Sequence, residues 1–114
     1  MKKILLTLEG NDIAPRFDLA PEVLIVSIDR EGRVHKEENV VLARPSAEIV
    51  CHVAAAENIG TLICGGIEEE FLQYLKWKKV SVIHSVIGTA ESALGHFLGG
   101  TLKSGDILVK KAEG

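Results

Sequence analysis

Thr61-Leu62-Ile63-Cys64-Gly65-Gly66-Ile67 is the stretch that decides the fold. Thr61–Cys64 is a short apolar strand, stopped by two glycines, and a helical period begins at once. Ile67 to Lys76 reads as a helix with Ile67, Phe71, Tyr74 and Leu75 turned inward. The same alternation repeats on both sides. Downstream, the β-branched run Val80–His84 is a strand that ends before Gly88. Thr89 then caps a helix with Ala90, Leu94, Phe97 and Leu98 inward and Gly99-Gly100 as its stop. Upstream, Ser46 is an N-cap after Pro45, and Glu48 falls in the first turn. Ala47, Val50, Cys51 and Ala54 share one helical face, which ends near Asn58-Ile59-Gly60. Helix–strand–helix–strand–helix implies parallel strands joined by right-handed crossovers.

Ahead of this unit the period is that of strands. Ile4–Leu8 is an apolar strand, and Gly10 to Pro21 is a long polar loop anchored by Ile13 and Phe17. Val23–Ile28 reads as a strand buried on both faces. Asp29-Arg30-Glu31-Gly32 is a hairpin turn, and Arg33–Ala43 is the returning strand. The fold class is therefore α/β: one domain over residues 1–102, a mixed five-stranded sheet and three helices. Strands one, four and five are the parallel members, with the antiparallel hairpin on the other side of strand one. Residues 103–114 form a C-terminal tail with an edge strand at Asp106–Val109.

Composition narrows the function. A chain of 114 residues can bury one core without a disulfide or metal staple. Hydrophobic residues at 46% and charged residues at 25% exclude wholesale disorder. The net charge of −3 and the scattered aromatics, Phe17, Phe71, Phe97, Tyr74 and Trp77, argue against a nucleic-acid binder. The apolar run after Met1-Lys2-Lys3 is too short for a secretory signal, and acids follow at once. No stretch approaches the roughly 20 apolar residues of a membrane span. Cys51 and Cys64 form no Cys-x-x-Cys pair. A cytoplasmic protein with reduced thiols and no membrane association is the simplest reading.

In an open α/β sheet, ligands bind outside the carboxyl ends of the parallel strands. Three segments meet there: Glu9 to Ala20, Cys64-Gly65-Gly66, and His84 to Thr89. Helix N-termini follow two of them and favour anions. Gly65, Gly66 and Gly88 would let a ligand approach the backbone, or they are ordinary strand-to-helix turns. Arg16 adds a permanent positive charge. Glu68, Glu69 and Glu70 oppose an anion if they face it. Cys64 and His84 end neighbouring strands on the same edge, and thiolate and imidazole suit soft or borderline metals. The plainer reading is a core thiol and a strand-end imidazole. His35, His52 and His96 read as surface residues. The strand order invites a metal-dependent nuclease, but strand one carries no acid before Glu9. No Walker loop, Gly-x-Ser-x-Gly elbow or His-Glu-x-x-His motif is present, so no catalytic residues are named and the chain reads as a non-enzyme.

Ile13-Ala14-Pro15-Arg16-Phe17-Asp18-Leu19-Ala20, Leu62-Ile63-Cys64-Gly65-Gly66-Ile67 and Gly88-Thr89-Ala90-Glu91 together resemble the dinitrogenase iron–molybdenum cofactor biosynthesis family, over about Lys3 to Leu102. The resemblance implies a ribonuclease H-like α/β fold without nuclease activity. It implies a small carrier or scaffold for an anionic molybdenum, iron or copper sulfide cluster, or its precursor, held non-covalently. Cluster donor or acceptor proteins would be its partners. Arg16, Phe17, Asp18, Gly65, Gly66, Gly88 and Thr89 would line the cargo site, and Cys64 and His84 would supply any metal ligands. Nitrogenase-associated members often carry His-Phe-Gly where this chain has Arg16-Phe17-Asp18, and that His is a proposed ligand. Arginine stays protonated and cannot ligate a metal, but it pairs with a cluster's negative charge. A metal-free module binding a small anion or phosphate ligand, or acting through protein contacts, is the alternative.

Overall fold

The computed structural model describes residues 1–108. Strands run over β1 (Lys2–Glu9), β2 (Asp12–Ile13), β3 (Glu22–Ile28), β4 (Val34–Val41), β5 (Thr61–Ile63) and β6 (Ser81–Ile83). Helices are α1 (Ala47–Ala56), α2 (Glu69–Trp77) and α3 (Ala90–Leu98). The main sheet has the order β4-β3-β1-β5-β6, with β2 paired to β1 outside that row. β1, β5 and β6 are parallel, and β3 is antiparallel to both β1 and β4. The expected hairpin lies beside strand one, opposite the parallel strands. The sheet has one more strand than expected, because the loop after β1 folds back as the two-residue β2.

Alternation along the strands splits the core into two halves. Leu5, Val23, Ile25 and Leu62 face α1 and α2, packing with Val50, Cys51, Ala54 and Leu75. Ile4, Leu6, Leu24, Val26 and Ile63 face α3 and pack on Ala93, Leu94 and Phe97. The hairpin turn closes as the sequence indicates, with Gly32 at φ +81° and its N–H donating to the Asp29 carbonyl. Ser46 and Thr89 cap their helices, accepting from the Ile49 and Ser92 N–H groups. The second helix starts at Glu69, so Ile67 precedes it. Tyr74, expected inward, is 36% exposed, because Leu75 takes the core position of that turn.

The stretch expected as a tail begins against the body. Leu108 packs on the α3 side of the core. Ile107 makes one parallel bridge to Ile87. The rest of the expected edge strand, from Val109, lies outside the described residues. No helix among the described residues is long and apolar enough to cross a membrane.

Candidate functional site

The three segments expected at the sheet's carboxyl edge do meet, and backbone hydrogen bonds hold them. The loop after β1 crosses that edge. Ala14 N–H donates back to the Thr7 carbonyl at 2.9 Å. On one side Ile13 N–H donates to the Gly88 carbonyl, and Ala90 N–H donates to that of Asn11, both at 2.9 Å. On the other side Gly66 N–H donates to the Pro15 carbonyl and Phe17 N–H to the Gly66 carbonyl, both at 2.8 Å. Arg16 and Gly66 thus form a small parallel bridge. A single 3-10 turn, Phe17–Leu19, then drives Phe17 into the core, where its ring lies 6.1 Å from that of Phe71.

This stitching accounts for the glycines. A Cβ on Gly65 would lie 2.5 Å from the Pro15 carbonyl oxygen and would also strike that of Ala14. A Cβ on Gly88, at φ +150°, would lie 2.7 Å from the Leu108 Cβ. At both positions the close approach is made by the protein's own chain. At Gly66 the nearest such contact is an ordinary 3.5 Å. The α3 N-terminus is likewise engaged internally, since Asn11 and Thr89 accept from its Ala90 and Ser92 N–H groups.

Arg16 is an exposed cation at this edge. Its guanidinium, 58% exposed, forks onto Asp18: Nε donates to Oδ1 at 3.1 Å and Nη2 to Oδ2 at 2.6 Å. Asp18, 26% exposed, also lines an open cleft of about 730 Å³. Arg44, Ser46, Glu48, His52, Glu68, Glu70 and Phe71 are among its other walls. Arg44 and His52 were not singled out at this edge from the sequence. Strand direction was the signal: β4 is antiparallel to β3 and so runs with β1. The N-terminus of α1 therefore opens on the same edge as that of α2.

Cys64 and His84 stand one residue beyond the last paired positions of their strands, Ile63 and Ile83. The backbone brings them alongside, but their side chains meet different surroundings. Cys64 is 0% exposed and belongs to the core with Leu5, Phe17 and Leu62. His84 is half-buried, with Nδ1 3.0 Å from the Ser85 hydroxyl. Its N–H donates to the Ser104 hydroxyl, and its carbonyl accepts from Gly105. Among the described residues, no group of three or more His, Cys, Asp or Glu side chains could hold a metal ion.

Burial pushes the Cys64 thiol up to about 12, from an ordinary value of 9.0. Burial, with the Glu48 carboxylate adding to it, pushes Cys51 up to about 11. The unfolded chain therefore loses these protons first as pH rises. Stability should be flat below pH 9 in this respect and fall from there toward 11 and 12, by up to about 1.4 kcal/mol per pH unit per thiol. Urea titrations across that range check this. Cys51→Ser should flatten part of the fall, and both thiols should resist alkylation at pH 8 until the protein unfolds.

The model of the family described as dinitrogenase iron–molybdenum cofactor matches residues 1–100. No curated protein matches this sequence. Among solved structures, PH0822 superposes with TM-score 0.81 at 18% identity, over 90% of this chain and 93% of that one. A provisionally assigned dinitrogenase of Methanocaldococcus jannaschii gives 0.73 at 24%, covering 89% and 91%. The apo form of the orange protein from Desulfovibrio gigas gives 0.71 at 23%, covering 91% and 92%. These likenesses show a shared fold. The family match extends over nearly the whole chain and includes the loop, glycine pair and helix start described above, so the chain belongs to the dinitrogenase iron–molybdenum cofactor family.

Proposed function

We propose that this protein is a small non-catalytic carrier or scaffold for an anionic metal–sulfide cluster or its precursor, of molybdenum, iron or copper type. Family membership supports the cargo class. The single observation that carries the reading is Arg16, presented on a loop bonded to the β5 end while its neighbouring strand β2 bridges to Thr89. Such a platform is pre-organised, and a guanidinium fork suits the charge of sulfides or oxyanions. Cargo would be held through charge and hydrogen bonds, since Cys64 is protonated and enclosed; His84 remains the accessible candidate ligand. Exchange would be with cluster donor or acceptor proteins in the cytoplasm.

In this reading Asp18 is a competitor. Its carboxylate occupies the fork that an anion would take, so loading replaces one ion pair by another. Anaerobic protein mixed with thiomolybdate and copper should acquire visible charge-transfer bands in stoichiometric amount. Arg16→Ala should weaken binding by roughly tenfold or more, the worth of one charge-assisted fork. Asp18→Asn should tighten it, because the carboxylate's competing charge is removed. No bands and no retained metal under several metal regimes would refute the cluster reading, and so would an Arg16→Ala variant that binds like the parent.

The metal-free alternative rests on the same guanidinium and on the scarcity of gathered metal ligands among the described residues. Thermal shift against phosphate-bearing ligands separates the two. Stabilisation by those ligands but not by thiomolybdate and copper would favour the alternative.

A further inference from the structure

Most of the exposed face of helix α2, from Gln73 to Lys78, lies outside the cleft lined by Asp18. Its exposed charges are opposite in sign on the two sides of Gln73: Glu68, Glu69 and Glu70 precede it, and Lys76, Lys78 and Lys79 follow. Helical spacing sets Glu69, Gln73 and Lys76 along one side of the exposed face, and Glu70, Tyr74 and Trp77 along the other. Trp77, the one tryptophan in the chain, is 72% exposed. Its ring lies 6.3 Å from that of Tyr74, and the Lys78 ammonium sits 5.0 Å from the indole centroid and 5.8 Å from the phenol centroid. The helix dipole explains acids at the start and bases at the end. It does not explain an indole left in water beside a second aromatic and a cation.

We propose that this face docks on the α2 face of a second copy of the chain, antiparallel, about a two-fold axis at Gln73. A two-fold contact is self-complementary: whatever residue i meets, its equivalent meets residue i. Reversing the helix sets Glu69 against Lys76 of the second copy on one flank. On the other flank it sets Glu70 against the Trp77–Lys78 end. Both charge pairs occur twice, and both indoles leave water. A second copy is favoured over other occupants because the complementary charge pattern is carried by the helix itself. So short a helix pair covers less than the roughly 1,200 Å² of a standard interface, so the dimer is weak and reversible. Of the paired residues, Glu70 also lines the cleft beside Asp18.

Sedimentation velocity from about 10 µM to about 1 mM, in low and about 0.5 M salt, tests this. The average mass should rise toward that of a dimer, and the dissociation constant should grow roughly tenfold in high salt. Trp77 fluorescence should shift to shorter wavelength along the same concentration series. The double variant Glu69→Lys with Glu70→Lys should be monomeric, and so should Lys76→Glu with Lys78→Glu. Mixing the two should restore the dimer, which also shows that neither variant has simply failed to fold. A mass that stays monomeric throughout, a dimer in which Trp77 emission does not move, or a mixture that fails to associate would each overturn the proposal.

Discussion

Gly65→Ala should destabilise the protein by about 2–4 kcal/mol, lowering its melting temperature by on the order of 10 °C. The added methyl would meet backbone, with the Pro15 carbonyl oxygen at 2.5 Å, its carbon at 2.8 Å, and the Ala14 carbonyl oxygen. Flexible side-chain ends can swing away from such a clash, but a backbone held at both ends cannot. The loop is bonded to Thr7 on one side of the contact and to Gly66 on the other. Relief requires lifting residues 14–17, with loss of the two 2.8 Å bonds to Gly66 and of the packing of Phe17. Gly66→Ala is the internal control. Its methyl would meet the Pro15 oxygen at 3.5 Å, so the change should stay within about 1 kcal/mol. Equal effects at the two positions, by thermal or urea unfolding, would show that the loop does not rest on Gly65 as described.

Phe17→Ala should cost about 3–5 kcal/mol, the range for removing a buried aromatic ring. Phe17 is 1% exposed and touches the core shared by Leu5, Val50, Leu62 and Cys64. It is also the residue through which an otherwise polar loop is fastened to the body. Its loss should therefore do more than lower stability. The neighbouring Arg16 would no longer be held beside Gly66, and any anion binding should weaken even where the protein is still folded. Phe17→Leu keeps much of the volume and should recover a large part of both losses. A variant with full anion affinity but reduced stability would separate the anchor from the site.

Much of the architecture was legible because its causes are local. The runs Val23–Ile28 and Thr61–Ile63 are short, apolar and rich in β-branched residues, which favours buried strands over helices, and the strand–helix alternation after Pro45 calls for crossovers. The caps Ser46 and Thr89 and the turn at Asp29–Gly32 are short-range chemistry, and each stands where the sequence indicates. The meeting of the three loops followed from strand direction alone. The exposed Tyr74 did not, because periodicity cannot choose between adjacent positions when Leu75 competes for the same pocket. Strand β2 was also hidden, since two residues such as Asp12-Ile13 carry no period.

The candidate site divides along the same line. Which residues stand near the carboxyl edge was settled by order along the chain: Arg16 after β1, Gly65 and Gly66 after β5, Gly88 and Thr89 after β6. What each does there was decided by three-dimensional packing. Two glycines that look open to a ligand are filled by Pro15 and Leu108. A thiol at a strand end proves to be enclosed core, and a free-looking guanidinium is already paired with Asp18. Hydrogen bonding, hydrophobic period and turn chemistry act over a few residues and so leave their mark in the sequence. Steric access, desolvation and charge pairing depend on groups brought together from far along the chain, and these only the folded molecule determines.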